Sequence, residues 1–181
     1  MPVLSLGYLR LESTDLEAWK TFAGDFLGLM PVAAEGEESL RYRMDHYPPR
    51  LVVSPGEENR AAAIGFEVLN ARDLKRTVAA VEDAGIKVIE GTVAECDERR
   101  VTGFVRFDDP GGNPIELFYG PILDHKPVVL PTVSSFVTTS GPQGATYLEC
   151  WDEPLSLIET TWHDDGHWKR RESASKTFPQ P

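Results

Sequence analysis

The chain has 181 residues, 41% hydrophobic and 26% charged, the balance of a globular protein with one sizeable core rather than of a disordered or fibrous chain. Its 18 basic and 29 acidic residues give a net charge of -11, which repels phosphate backbones and anionic membranes and argues against nucleic-acid or membrane partners. No charged stretch followed by an apolar run opens the sequence and no run approaches membrane-spanning length, so the expectation is a cytoplasmic protein.

Residues 3–11 alternate as a strand, with Tyr8 and Arg10 on one face. Thr14-Asp15 then supplies a helix N-cap, and Leu16, Trp19, Ala23, Phe26 and Leu27 fall on one helical face before Gly28 closes the helix. Short β-patterned runs follow at about 30–33, 39–44 and 50–54, with Pro48-Pro49 and Pro55-Gly56 at the turns, giving the order βαβββ. The order then repeats. A strand at 63–68 leads to a capped helix at about 71–84, with Leu74, Val78 and Val81 inward and Gly85 beyond its end. Strands near 87–90, 103–108 and 114–120 complete the second copy, a repeat of architecture more than of sequence. The pattern predicts an α+β protein in which paired βαβββ modules form one curved, mostly antiparallel eight-stranded sheet with helices on its convex side. This domain spans 1–122, and 123–181 form a linker, a C-terminal hairpin from about 145 to 162, and a tail. Cys96 and Cys150 are far apart, with neither knuckle nor disulfide spacing, and are read as reduced and structural.

The segment Asp109-Pro110-Gly111-Gly112-Asn113-Pro114-Ile115-Glu116-Leu117 carries the most specific information. Asp and Pro open a reversal, the glycines and Asn accept positive φ, and the following strand starts with its faces assigned. Glu116 and Phe118 share one face, and Ile115, Leu117 and Tyr119 the other. By the same parity Ile64, Phe66 and Val68 pack on helices, which turns Ala63, Gly65 and Glu67 the opposite way. If the modules pair side by side, Tyr8, Arg10, Ala63, Gly65, Glu67, Glu116 and Phe118 face a common concavity. Two accounts fit this set: a ligand-facing site with Tyr8, Arg10, Glu116 and Phe118 as contacts, or an internal ion-pair network around Arg10 with aromatic filler.

The paired βαβββ units, the D-P-x-G-N-x-x-E hairpin, and the segments Leu6-Gly7-Tyr8-Leu9 and Phe26-Leu27-Gly28-Leu29 resemble the vicinal-oxygen-chelate superfamily. Val101-Thr102-Gly103-Phe104, Phe118-Tyr119-Gly120 and Lys126-Pro127 leading to Leu130-Pro131 narrow the likeness to the N-terminal domain of type I extradiol dioxygenases, over residues 1–144. The resemblance implies aromatic or steroid catabolism, a catechol-type aromatic as substrate or ligand, and Fe(II) as cofactor. In that family the iron lies in a second domain, on two His and one Glu that leave positions open for catecholate and O₂. Mapped onto the first domain here, the ligand positions fall on Tyr8, Ala63 and Glu116, so only the carboxylate matches. Glu116 is then expected to pair with a cationic or hydrogen-bonding neighbour, Arg10 being the nearest candidate by parity.

Beyond residue 144, Leu157-Ile158-Glu159-Thr160-Thr161-Trp162 is similar to the strand that supplies the family's iron-binding Glu, whereas the two His-bearing strands have no counterpart. Glu159, His163 and His167 recur every four residues, so a helix would gather a candidate metal set on one face and a strand would not. The catalytic residues are not identified. Three functions remain open: a dioxygenase-like protein completed by its tail or a partner chain, a metal-free small-molecule binder or accessory subunit, and a sequestering protein on the same fold. The apolar Tyr147, Trp151, Leu157 and Trp162 of the expected hairpin call for a covering surface, and with it a homo-oligomer or a partner subunit.

Overall fold

The Asp15 side chain accepts the amide of Ala18 (2.9 Å) and starts the first helix at the cap expected of it. The computed structural model describes residues 3–33, 38–47 and 49–130. In chain order these form β1 (Val3–Ser13), α1 (Leu16–Lys20) continued by a π-helical segment (Thr21–Phe26), β2 (Met30–Pro31), β3 (Leu40–Arg43) and β4 (Leu51–Pro55). There follow β5 (Arg60–Val68), α2 (Ala71–Asp83), β6 (Ile89–Glu90), α3 (Val93–Arg99), β7 (Val101–Asp108) and β8 (Pro114–Pro121). One eight-stranded sheet runs in the order β2-β3-β4-β1-β5-β8-β7-β6. The first strand of each module lies beside its last in parallel (β1 with β4, β5 with β8), and the other pairs, including the β1–β5 seam between modules, are antiparallel.

Both long helices cover one face of this sheet. Leu74 of α2 packs with Phe66, Val68, Val105, Ile115 and Leu117, and Ala23 packs with Tyr42, Leu51 and Val53. Leu9 pairs directly with Ile64 across β1 and β5, so the two clusters belong to the same face. A bulge at Gly7 lets both Leu6 and Leu9 point to it, which a strict two-residue period does not allow. A Cβ on Gly7 would lie 2.1 Å from the Phe118 ring, so the bulge also permits a close approach from the other side.

Three expectations change. Phe26 is exposed rather than inward, because the π-helical segment shifts the register of the face after Ala23. The run between β6 and β7, expected as a connection, is the helix α3, closed by a reciprocal Thr92–Glu95 capping box. This helix lies on the face opposite α1 and α2, with Cys96 against Tyr8, Val101, Phe104 and Phe118, so the concave side is not open but covered. The expected hairpin at 145–162 and the set Glu159, His163 and His167 lie outside the described residues.

Candidate functional site

Tyr8 on β1 pairs with Gly65 on β5, and Gly65 pairs with Glu116 on β8, which lines three strands up in one row on the concave face. The missing side chain at Gly65 makes the row possible: a Cβ there would sit 2.4 Å from the Tyr8 ring, which lies across it. The Tyr8 hydroxyl thereby reaches Glu116 and donates to Oε2 at 2.5 Å, while its ring stacks on Phe118 with centroids 5.0 Å apart.

Arg99, from the last turn of α3, completes the cluster. Its Nε donates to Glu116 Oε2 (2.8 Å) and its Nη2 to Oε1 (2.7 Å), a bidentate fork in which the two side chains are 9% and 4% exposed. The guanidinium lies over the Phe104 ring at 4.4 Å and donates back to the Glu95 carbonyl (3.3 Å). Arg100 then takes a left-handed conformation (φ 58°) that turns the chain from α3 into β7. Glu95 is held at about 2, first by the Thr92 amide and then by Arg106. Burial pushes the Tyr8 phenol far above its usual range, and the Glu116 charge pushes the same way. Burial alone would weaken the Arg99 cation, but the bond and charge of Glu116 outweigh it and hold the guanidinium charged. Burial likewise opposes ionisation of Glu98, and the bond and charge of Arg10 outweigh it, so its pKa is lowered.

Of the residues expected on this face, Tyr8, Glu116 and Phe118 do come together. Arg10 does not join them: it pairs with Glu98 of α3, and the cation on Glu116 is Arg99. Parity within strands could not find Arg99, because it arrives from a helix. The motif that could have found it is Thr92-x-x-Glu95, whose spacing marks a helix start seven residues upstream of Arg99. Glu67 belongs to a separate group, accepting from the Tyr47 hydroxyl (2.7 Å) and from Ser5 Oγ (3.5 Å). Between Tyr8, Tyr47, Arg99 and Phe118 the remaining space is about the size of one water molecule.

The donor set does not fit Fe(II). Both oxygens of Glu116 are engaged by Arg99, the phenol of Tyr8 is held protonated, and Ala63 offers no ligand atom. Among the described residues no group of three His, Cys, Asp or Glu side chains is placed to hold a metal ion. His46 and His125 lie 6.0 Å apart at the turn and linker, away from this cluster. Among the described residues no helix is long and apolar enough to cross a membrane.

The profile described as dihydroxybiphenyl dioxygenase BphC D1 matches residues 6–56. An iron-dependent extradiol dioxygenase of Rhodococcus jostii (strain RHA1) is 37% identical over 157 residues, covering 87% of this chain and 52% of that protein. A biphenyl-2,3-diol 1,2-dioxygenase of Sphingomonas paucimobilis is 39% identical over 158 residues, covering 85% and 52%. Among solved structures, a catechol 2,3-dioxygenase superposes with a TM-score of 0.73 at 35% identity, covering 80% of this chain and 51% of the other. A halotolerant catechol dioxygenase superposes with a TM-score of 0.74 at 30% identity, covering 78% and 47%. The chain thus spans about half the length of the curated relatives it matches. With its paired βαβββ modules in a single sheet, the chain is a member of the vicinal-oxygen-chelate superfamily and corresponds to the N-terminal domain of type I extradiol dioxygenases.

Proposed function

We propose that this is an extradiol-dioxygenase-like protein of aromatic or steroid catabolism that acts on or binds a catechol-type aromatic, and that residues 3–130 are its non-ligating half. The observation that carries the second part is the closure of Glu116 by Arg99 and Tyr8. A carboxylate that already accepts three charge-assisted or phenolic hydrogen bonds, two on Oε2 and one on Oε1, keeps a single lone pair, and an iron or diol would have to approach it against the Arg99 cation. The water-sized space beside it does not admit a ring, so Tyr8, Arg10, Glu116 and Phe118 act on this reading as interior supports rather than as substrate contacts. The relatives' names support the catechol class, and one of them names iron.

Iron on this reading is held by residues outside the described part, Glu159, His163 and His167 being the candidates in this chain, or by a partner subunit. The test is anaerobic Fe(II) loading of the untagged full chain, followed by 2,3-dihydroxybiphenyl and catechol turnover read as yellow ring-fission product. Product that disappears in His163→Ala/His167→Ala and persists in Tyr8→Phe supports the reading. Product that disappears in Tyr8→Phe while the protein stays folded contradicts the assignment of the first half. Catechol binding without iron or product supports the accessory, metal-free alternative.

A further inference from the structure

The helix that follows β1 leaves two aromatic rings, Phe22 and Phe26, exposed beside Trp19, which packs on the core of the first module. From Thr21 to Phe26 the backbone is π-helical, with the Leu27 amide bonded to the Phe22 carbonyl at 2.9 Å. Ala23 stays fully buried, whereas Phe26 is 76% and Phe22 44% exposed. The two rings stack with centroids 5.5 Å apart and planes at 16°, and Phe22 meets Trp19 edge-on at 5.6 Å. Three adjoining rings on a helix of this rare geometry form an apolar patch of the kind that marks a contact surface.

The course of the chain after β8 indicates what covers it. Arg43, 1% exposed, donates to the carbonyls of Asp124 and Lys126 (both 3.1 Å) and pairs with the Asp124 carboxylate (3.0 Å). The Asp124 amide bonds to the His46 carbonyl (2.7 Å), and the Val129 amide to Met30 Sδ (3.3 Å). Residues 122–129 are therefore strapped from β8 back across the first module to its outer edge strand. Met30 follows Leu29, whose amide bonds to the Ala23 carbonyl, so the strap ends four residues along the chain from Phe26. Residues 131–181 leave from that point, and their sequence holds Tyr147, Trp151, Leu157 and Trp162 and then Lys169-Arg170-Arg171. The helix carrying the rings presents the exposed carboxylate Asp25 together with Glu17, which Lys20 on the same helix already pairs at 2.5 Å. Apolar residues and opposite charge thus recur together on the attached segment and on the surface beside its point of departure.

We propose that the Trp19–Phe22–Phe26 face is the docking site for residues 145–162 of the same chain, with the basic run at 169–171 beside Asp25. Fourteen residues lie between Leu130 and Ala145, enough to span about 50 Å when extended, so the reach is ample. The inference does not depend on the proposed catechol chemistry. Its test places a benzophenone-bearing phenylalanine at position 26 of the full chain and maps the photocrosslink, with amide exchange measured in parallel on the parent and on Phe22→Ser/Phe26→Ser. The expected result is a crosslink to a peptide within 145–171 in a species of monomer mass, and at least tenfold faster exchange of 145–162 in the double variant with β1–β8 unchanged. A crosslink that joins two copies overturns the proposal in favour of an interface between chains. So does the absence of a crosslink together with equal exchange in parent and variant. Because both rings are exposed, the variant is expected to fold, and the crosslink decides the matter if it does not.

Discussion

Replacing Arg99 by Ala removes the cation from a carboxylate that is 4% exposed and leaves Glu116 with the Tyr8 hydroxyl as its remaining hydrogen-bond donor. Breaking a buried pair by deleting one partner typically costs about 3–5 kcal/mol, because the surviving charge keeps its desolvation penalty and loses its compensation. The loss of the guanidinium from the Phe104 ring adds to this. Against a total stability of about 5–15 kcal/mol, the change is large enough to halve a typical fold's margin. The Arg10–Glu98 pair makes the comparison. Its side chains are 16% and 39% exposed, and Arg10→Ala is expected to cost about 0–1 kcal/mol. Urea unfolding followed by far-UV circular dichroism measures both, with the midpoint falling strongly for Arg99→Ala and little for Arg10→Ala at unchanged slope. The triple variant Tyr8→Phe/Arg99→Met/Glu116→Leu should recover most of the loss, since apolar replacement of a whole buried polar group is often neutral, whereas Arg99→Met/Glu116→Leu alone leaves the Tyr8 hydroxyl unpaired. An Arg99→Ala cost within 1 kcal/mol of that of Arg10→Ala would refute the reasoning that burial sets the value of this pair.

Tyr8 and Tyr47 both have phenol pKa values raised by burial, with Glu116 and Glu67 pushing further in the same direction. Groups raised in the folded state stabilise it fully below the unfolded value near 10, and the contribution is lost above that at about 1.4 kcal/mol per pH unit each. Unfolding midpoints should therefore fall steeply from pH 10 upward, and less steeply in Tyr8→Phe; parallel curves would count against a buried, protonated Tyr8. Gly65→Ala puts a Cβ 2.4 Å from the Tyr8 ring and should destabilise by about 1–3 kcal/mol, visible in thermal melts. Arg43→Met should free the strap, so that amides of 122–126 exchange faster while the strands keep their protection; uniform loss of protection would show that Arg43 holds the fold and not the strap.

Much of the fold is legible because its elements follow local rules. The alternation of Ile115, Leu117 and Tyr119 against Glu116 and Phe118, the Asp15 cap and the Gly85 helix end each rest on a period or a backbone requirement that one residue states by itself. Parity also brings Tyr8, Glu116 and Phe118 together, because a shared sheet face is a property of register. What escapes is what arrives from outside the strand pattern. Seven-residue α3 has no fully buried residue to give it an apolar stripe, so only its capping box betrays it, and the partner of Glu116 rides on it. Phe26 escapes for another reason. A π-helical segment breaks the 3.6-residue period on which its inward placement was predicated.

The central claim, that the Tyr8, Glu116 and Arg99 cluster contributes no iron ligand, is tested most directly by iron stoichiometry in the untagged full chain and in Glu116→Gln, both loaded anaerobically with Fe(II) and desalted. Glu116→Gln keeps the shape of the side chain and removes the only carboxylate at the mapped ligand positions. The account predicts the same iron content in both proteins. Stoichiometric iron in the parent that is lost in a folded Glu116→Gln protein would contradict it.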